Sequence, residues 1–103
     1  MISHTAYMAA QAEAEATDKL SLLIRDAIHE AGKASIKYPQ PNYLISKVAE
    51  EAGEVVKAAI HCAEGRETTA HVRDEIKQAI AMLIRLYLEG DEVHGLPPIA
   101  LTD

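Results

Sequence analysis

The chain of 103 residues has no tryptophan and no phenylalanine, and its aromatic content is four tyrosines. A core packed around large rings is excluded, so burial must come from Leu, Ile, Val, Ala and Met. The single cysteine, Cys62, excludes an internal disulfide and suits a reducing, cytoplasmic setting. No run of about 18 apolar residues occurs, and the first residues lack a basic segment followed by an apolar one. Neither a membrane span nor a secretory leader is expected. Lys and Arg number 10 against 16 Asp and Glu, for a net charge of −6 with no basic block. That balance argues against nucleic acid as a partner. Alternating β patterns and internal repeats are also missing.

What remains is a helical composition. Hydrophobic residues make up 49% and charged residues 25% of the chain, an ordinary globular balance. The length allows one domain with a modest core. Residues 1–16 are helix-prone but carry a weak apolar stripe, and read as an arm or an extension of the next helix. Leu20, Leu23, Ile24, Ala27, Ile28 and Ala31 then fall on one helical face. Thr17 or Asp18 is placed to cap that helix, and Gly32 to end it.

Residues 33–42 form the main connection, held extended by Pro39 and Pro41, with Asn42 as the expected N-cap of a second helix from about Tyr43 to Ala63. Leu44, Val48, Val55, Ala59 and Cys62 share one face of it, and Gly65 ends it. Thr68 or Thr69 caps a third helix with the stripe Val72, Ile76, Ala79, Ile80, Leu83, Leu86 and Tyr87, closed by Gly90. Residues 91–103 read as a tail, leaving 17–90 as the helical core. Three helices bury little surface alone, so an all-α antiparallel bundle completed by further copies is expected.

The second helix contains Glu50, Glu51 and Glu54 in an EExxE spacing. At about 100° per residue, Glu51 borders the apolar face, Glu54 lies further round, and Glu50 further out still. Lys47 projects between Glu51 and Glu54, one turn earlier. On the third helix Glu75 borders the stripe, with Gln78 beside it. Antiparallel packing would bring these two i, i+3 pairs to one groove, a set of hard oxygen donors suited to Mg²⁺ or Mn²⁺. A solvated acidic face, paired locally with Lys47 or Lys57, is the commoner origin of EExxE alone, and Glu75 on the rim of the next helix is what strengthens the metal reading.

The stretch Leu44–Ala58, with its EExxE, resembles the signature helix of the MazG-like all-α nucleoside triphosphate pyrophosphatases. That superfamily pairs EExxE on one helix with ExxD on the next. Here the second motif reads Glu75-Ile76-Lys77-Gln78, so Gln stands in place of Asp. The resemblance covers about residues 20–90 and is carried chiefly by the first motif. It implies Glu51, Glu54 and Glu75 as Mg²⁺ ligands with Gln78 in the fourth position, and Glu50 as an accessory carboxylate orienting a ligand or the attacking water. It implies hydrolysis of a (deoxy)nucleoside triphosphate between the α- and β-phosphates; the small size of the chain adds the expectation of a homodimer or homotetramer. Related phosphoribosyl-ATP or dUTP hydrolysis is an alternative, as is a catalytically silent helical module that binds a nucleotide or a protein.

Other side chains are candidates of lower standing. Lys33, Lys37, Arg73 and Lys77 are candidate phosphate contacts or solvated charges, and Lys47 a further substrate contact. Tyr38 and Tyr43 flank the proline-rich connection, where either ring can stack on a base. The five histidines are scattered and read mainly as solvated or capping groups.

Overall fold

The computed structural model describes residues 4–102, with side chains from Asp18 onward. Among the described residues there are four helices: α1 His4–Lys37, α2 Leu44–Ala63, α3 Thr69–Glu89 and the short α4 Ile99–Thr102. No strand occurs among the described residues, and the one β-type pairing is the bridge between Asp91 and Leu96. No described helix is long and apolar enough to cross a membrane. α3 is the central element, with α1 and α2 each packed against it and α4 resting on it.

α1 corrects the expected boundaries. The described part of the 1–16 segment belongs to it, so positions Thr17 and Asp18 lie inside the helix and not at its start. Gly32 does not stop it either. Its backbone is not left-handed, and the helix absorbs the roughly 1 kcal/mol that a helical glycine costs. The helix ends at Lys37 because Tyr38 precedes Pro39, and the residue before a proline is pushed out of helical conformation. At the start of α3 and at the ends of α2 and α3 the sequence signals hold. Thr68 Oγ1 accepts the His71 amide at 3.1 Å, and Gly65 and Gly90, at φ 76° and 69°, close α2 and α3.

The core is narrow. Its buried apolar residues are Ala27, Ala31, Leu44, Ala58 and Ala81. Four of the five are alanine, which lets backbones approach but buries little surface per residue. Larger stripe residues stay exposed along one side of α1 and α3, with Ile28 57%, Leu83 51% and Leu88 56% accessible. With α3 in the middle, these side chains point to a face that no described side chain covers.

Residues 91–102 do not trail away as a tail. The Asp91 amide donates to the Leu96 carbonyl at 2.8 Å and the Leu96 amide returns to Asp91 at 2.9 Å. Asp91 is fully buried, and its carboxylate accepts from the amides of Ile45 and His94 and sits beside the His94 ring, each at 3.0 Å. Asp91 thus supplies the cap of α2 from the far end of the chain. Asn42, expected in that role, instead donates its side-chain amide to the Tyr38 carbonyl at 3.0 Å. Burial pushes the Asp91 carboxyl up, but its hydrogen bonds from Ile45 and His94 outweigh this and hold it below the ordinary Asp value.

A second polar anchor lies close by. Arg85 is 1% exposed and grips both oxygens of Glu89 at 2.8 and 2.9 Å while donating to the Tyr38 carbonyl at 2.8 Å. Glu89 also accepts from Gln40 at 3.3 Å. The connection between α1 and α2, and with it Tyr38, is thereby fixed to the end of α3.

Candidate functional site

α2 and α3 pack against each other, and this packing brings Glu51 and Glu75 together. Glu51 is half-buried at the rim of the interface, and the Glu75 side chain is 18% exposed. Burial raises the Glu51 carboxyl above the ordinary Glu value, and the charges of Glu75, then Glu50 and Glu54, push it further the same way. Lys47 opposes this only weakly. Its ammonium is turned toward the Tyr38 ring, 5.7 Å from the centroid, where Lys37 also lies at 5.4 Å. The expected placement of Lys47 between the carboxylates is therefore replaced by a cation–π contact at the start of α2.

Glu50 and Glu54 are exposed and flank the Glu51–Glu75 pair without closing on it. Among the described residues, no three His, Cys, Asp or Glu side chains converge tightly enough to hold a cation. Carboxylate oxygens are the donor type that a hard divalent ion takes. Glu51 and Glu75 present carboxylate oxygens at one rim, and a cation there would relieve the repulsion that now raises Glu51.

Gln78 and Lys77 face a different neighbour. The Gln78 amide donates to Glu30 of α1 at 3.4 Å. Lys77 pairs with Asp74 at 2.9 Å, and that hydrogen bond raises its pKa, with Glu30 adding a smaller pull. Glu30 is held below its ordinary value first by Lys33 and then by Gln78. The fourth motif position is thus engaged across the α1–α3 contact.

Sequence reasoning missed Glu30 and His71 as neighbours of these motif residues. His71 Nε2 stands 3.6 Å from Glu75 and 3.8 Å from Glu67, bridging one helical turn in each direction. Glu30 carried a signal: with Asp26 it forms an i, i+4 acidic pair bordering Ala27 and Ala31, and Asp26 meets Arg73 of α3 at 2.9 Å. The His71 spacing to Glu67 and Glu75 was equally visible, but its meaning depended on Glu75 facing α2. No protein-family model, curated protein or solved structure matches this chain.

Proposed function

We propose that this protein is a Mg²⁺-dependent nucleoside triphosphate pyrophosphohydrolase of the MazG-like type. The observation that carries the proposal is the meeting of Glu51 and Glu75 across α2 and α3, with a Glu51 carboxyl raised by burial and by three like charges. Glu51 and Glu75 would hold the cation, Glu54 would join them by a side-chain rotation, and Gln78 would contribute at most an amide oxygen. A bound Mg²⁺ or Mn²⁺ supplies charge neutralisation at the phosphate oxygens. Glu50, exposed beside Glu51, orients the water. Water attacks the α-phosphorus, the bond to the α,β-bridging oxygen breaks, and pyrophosphate departs with that oxygen. The proton from water passes to the carboxylate that held it.

A homodimer or homotetramer belongs to the same proposal. It is supported by the apolar groove of α1 and α3 formed by Ile24, Ile28, Ile80, Leu83, Tyr87 and Leu88, since a bundle this thin gains most by covering that face. A cytoplasmic location rests on the unpaired Cys62.

One observation favours a second reading, a helical binding module without turnover. Gln78 brings no charge to the site and its amide is engaged with Glu30. The test is a panel of deoxynucleoside and nucleoside triphosphates incubated with Mg²⁺ and scored for monophosphate plus pyrophosphate. Turnover lost in both Glu51→Gln and Glu75→Gln supports the hydrolase. Absence of turnover with every nucleotide, including phosphoribosyl-ATP and dUTP, supports the silent module.

A further inference from the structure

α1 is longer than the helix that supports it. Its 34 residues rise about 51 Å, against about 31 Å for the 21 residues of α3. Among the described helices α1 packs on α3 alone. Three contacts fix their register: Asp26 meets Arg73, Glu30 meets Gln78, and the Tyr38 carbonyl meets Arg85. The two helices therefore run parallel, and the offset of 47 residues sets Thr69, where α3 begins, level with Leu22. Residues 4–17 of α1 lie beyond that point, a helical arm of about 21 Å with no described helix beside it. A free helix of that length is marginal in water even when rich in alanine.

The rest of α1 has the converse defect. With α3 it forms an apolar groove of about 560 Å³ between Ile24, Ile28, Leu83 and Leu88, continued by a hollow of about 340 Å³ beside Gly32 and Ser35. Gly32 has nothing within 4 Å of where a Cβ would stand, so a second backbone can come close there. Along α1 the groove runs from Ile24 to Ser35, about 18 Å. The arm matches it in length and in kind. Six of its fourteen residues are alanine, and at helical spacing the stripe of Leu20, Ile24 and Ile28 continues into it through Ala16, Ala12 and Ala9. A continuous helix cannot fold back on its own flank, so an arm that fills this groove comes from another copy.

We infer that residues 4–17 are an exchanged arm, lying antiparallel in the α1–α3 groove of a second copy while that copy's arm returns the contact. Matching the midpoint of the arm to that of the groove puts the two-fold axis at Leu20, which is apolar and 58% exposed. Each arm then adds a fourth long helix to the three of its partner. One arm and one groove engage about 20 residues of each chain, the size of a stable interface. The inference rests on the homodimer of the proposed function, not on hydrolysis, and gives that dimer its geometry.

This pairing sets position 12 of one chain beside position 28 of the other. Ala12→Cys combined with Ile28→Cys, in the full chain carrying Cys62→Ser, should give a disulfide-linked dimer under mild oxidation. Within one chain those positions stand sixteen residues apart on one helix, about 24 Å, beyond the reach of a disulfide. Either new cysteine alone should stay unlinked. Sedimentation velocity supplies the second measurement. Ala12→Arg on the arm and Leu83→Arg in the groove should each weaken the dimer at least about tenfold, the effect of a charge on an apolar seam. Helical circular dichroism checks that each variant folds. A dimer unmoved by both arginines, or one without the 12–28 link, overturns the exchanged arm and leaves the homodimer standing. A chain that stays monomeric overturns both. A 12–28 link in a chain that hydrolyses no nucleotide keeps the arm and removes the hydrolase.

Discussion

Gly90→Ala tests whether the C-terminal segment is a structural part of the fold. Gly90 has φ 69° and ψ −150°, a region almost reserved for glycine, where another residue costs about 1–3 kcal/mol. A Cβ there would strike the Leu96 carbonyl oxygen and lie 2.6 and 2.8 Å from the carbonyl carbon and oxygen of Pro97. All three obstacles are backbone, so no side chain can swing aside. Relief requires the 90–97 turn to open, which breaks the two backbone hydrogen bonds between Asp91 and Leu96, each worth about 0.5–1.5 kcal/mol. The combined loss is roughly 2–6 kcal/mol, a large share of the 5–15 kcal/mol typical of a domain.

Gly95→Ala is the matched control. Gly95 has φ 73° but nothing within 4 Å of a Cβ, so only the backbone cost of about 1–2 kcal/mol applies. Urea unfolding followed by helical circular dichroism, at one protein concentration throughout, measures both variants. Gly90→Ala should exceed Gly95→Ala by at least about 1 kcal/mol. Equal losses, or a Gly90→Ala loss below about 1 kcal/mol, would refute the close approach and the docking of residues 91–102.

Three further outcomes are expected. Because the Glu51 carboxyl is raised above 4.5 in the folded state, the fold binds protons more tightly than the unfolded chain, and stability declines as pH rises above that value through the raised folded pKa. Glu51→Gln should flatten this part of a melting-temperature-against-pH profile; an unchanged slope would mean that Glu51 is not the group responsible. Asp91 has the opposite sign. Its carboxyl is held below 3.8, so its contribution is present above that pH and lost as pH falls through the lower folded value; Asp91→Asn should speed hydrogen exchange at the Ile45 amide, and unaltered protection there would show that the cap is dispensable. Gln78→Asp places a second carboxylate against Glu30, so it should lower the melting temperature without metal yet raise Mg²⁺ affinity in a calorimetric titration. A gain in stability without metal would mean that Gln78 and Glu30 are not neighbours.

Helix type, the three long helices and the glycine stops at 65 and 90 were legible because they depend on near neighbours in the chain; the short α4 within residues 91–102 was not. So was the Thr68 cap, where a hydroxyl meets an amide three residues on. Gly32 misled because glycine permits a helix end without requiring one, and Pro39, not Gly32, removes the helical option. Glu51 and Glu75 could be placed at the core rim by angular projection alone. Their facing each other needed α2 to pack on α3, and the turn of Gln78 and Lys77 toward Glu30 needed α1 on the other side of the same helix.

The sequence by itself determined an all-helical chain, the order and approximate span of its main helices, and an acidic row on the rim of the second. Local hydrogen-bond chemistry and a period of about 3.6 residues suffice for that. Only the tertiary structure decided that Asp91, remote in sequence, caps α2 at Ile45, that Lys47 leaves the carboxylates for Tyr38, and that α1 and α2 meet α3 on separate sides. Those outcomes join residues more than forty positions apart, as Ile45 and Asp91 are, or turn one side chain between two competing partners. No short-range pattern encodes either.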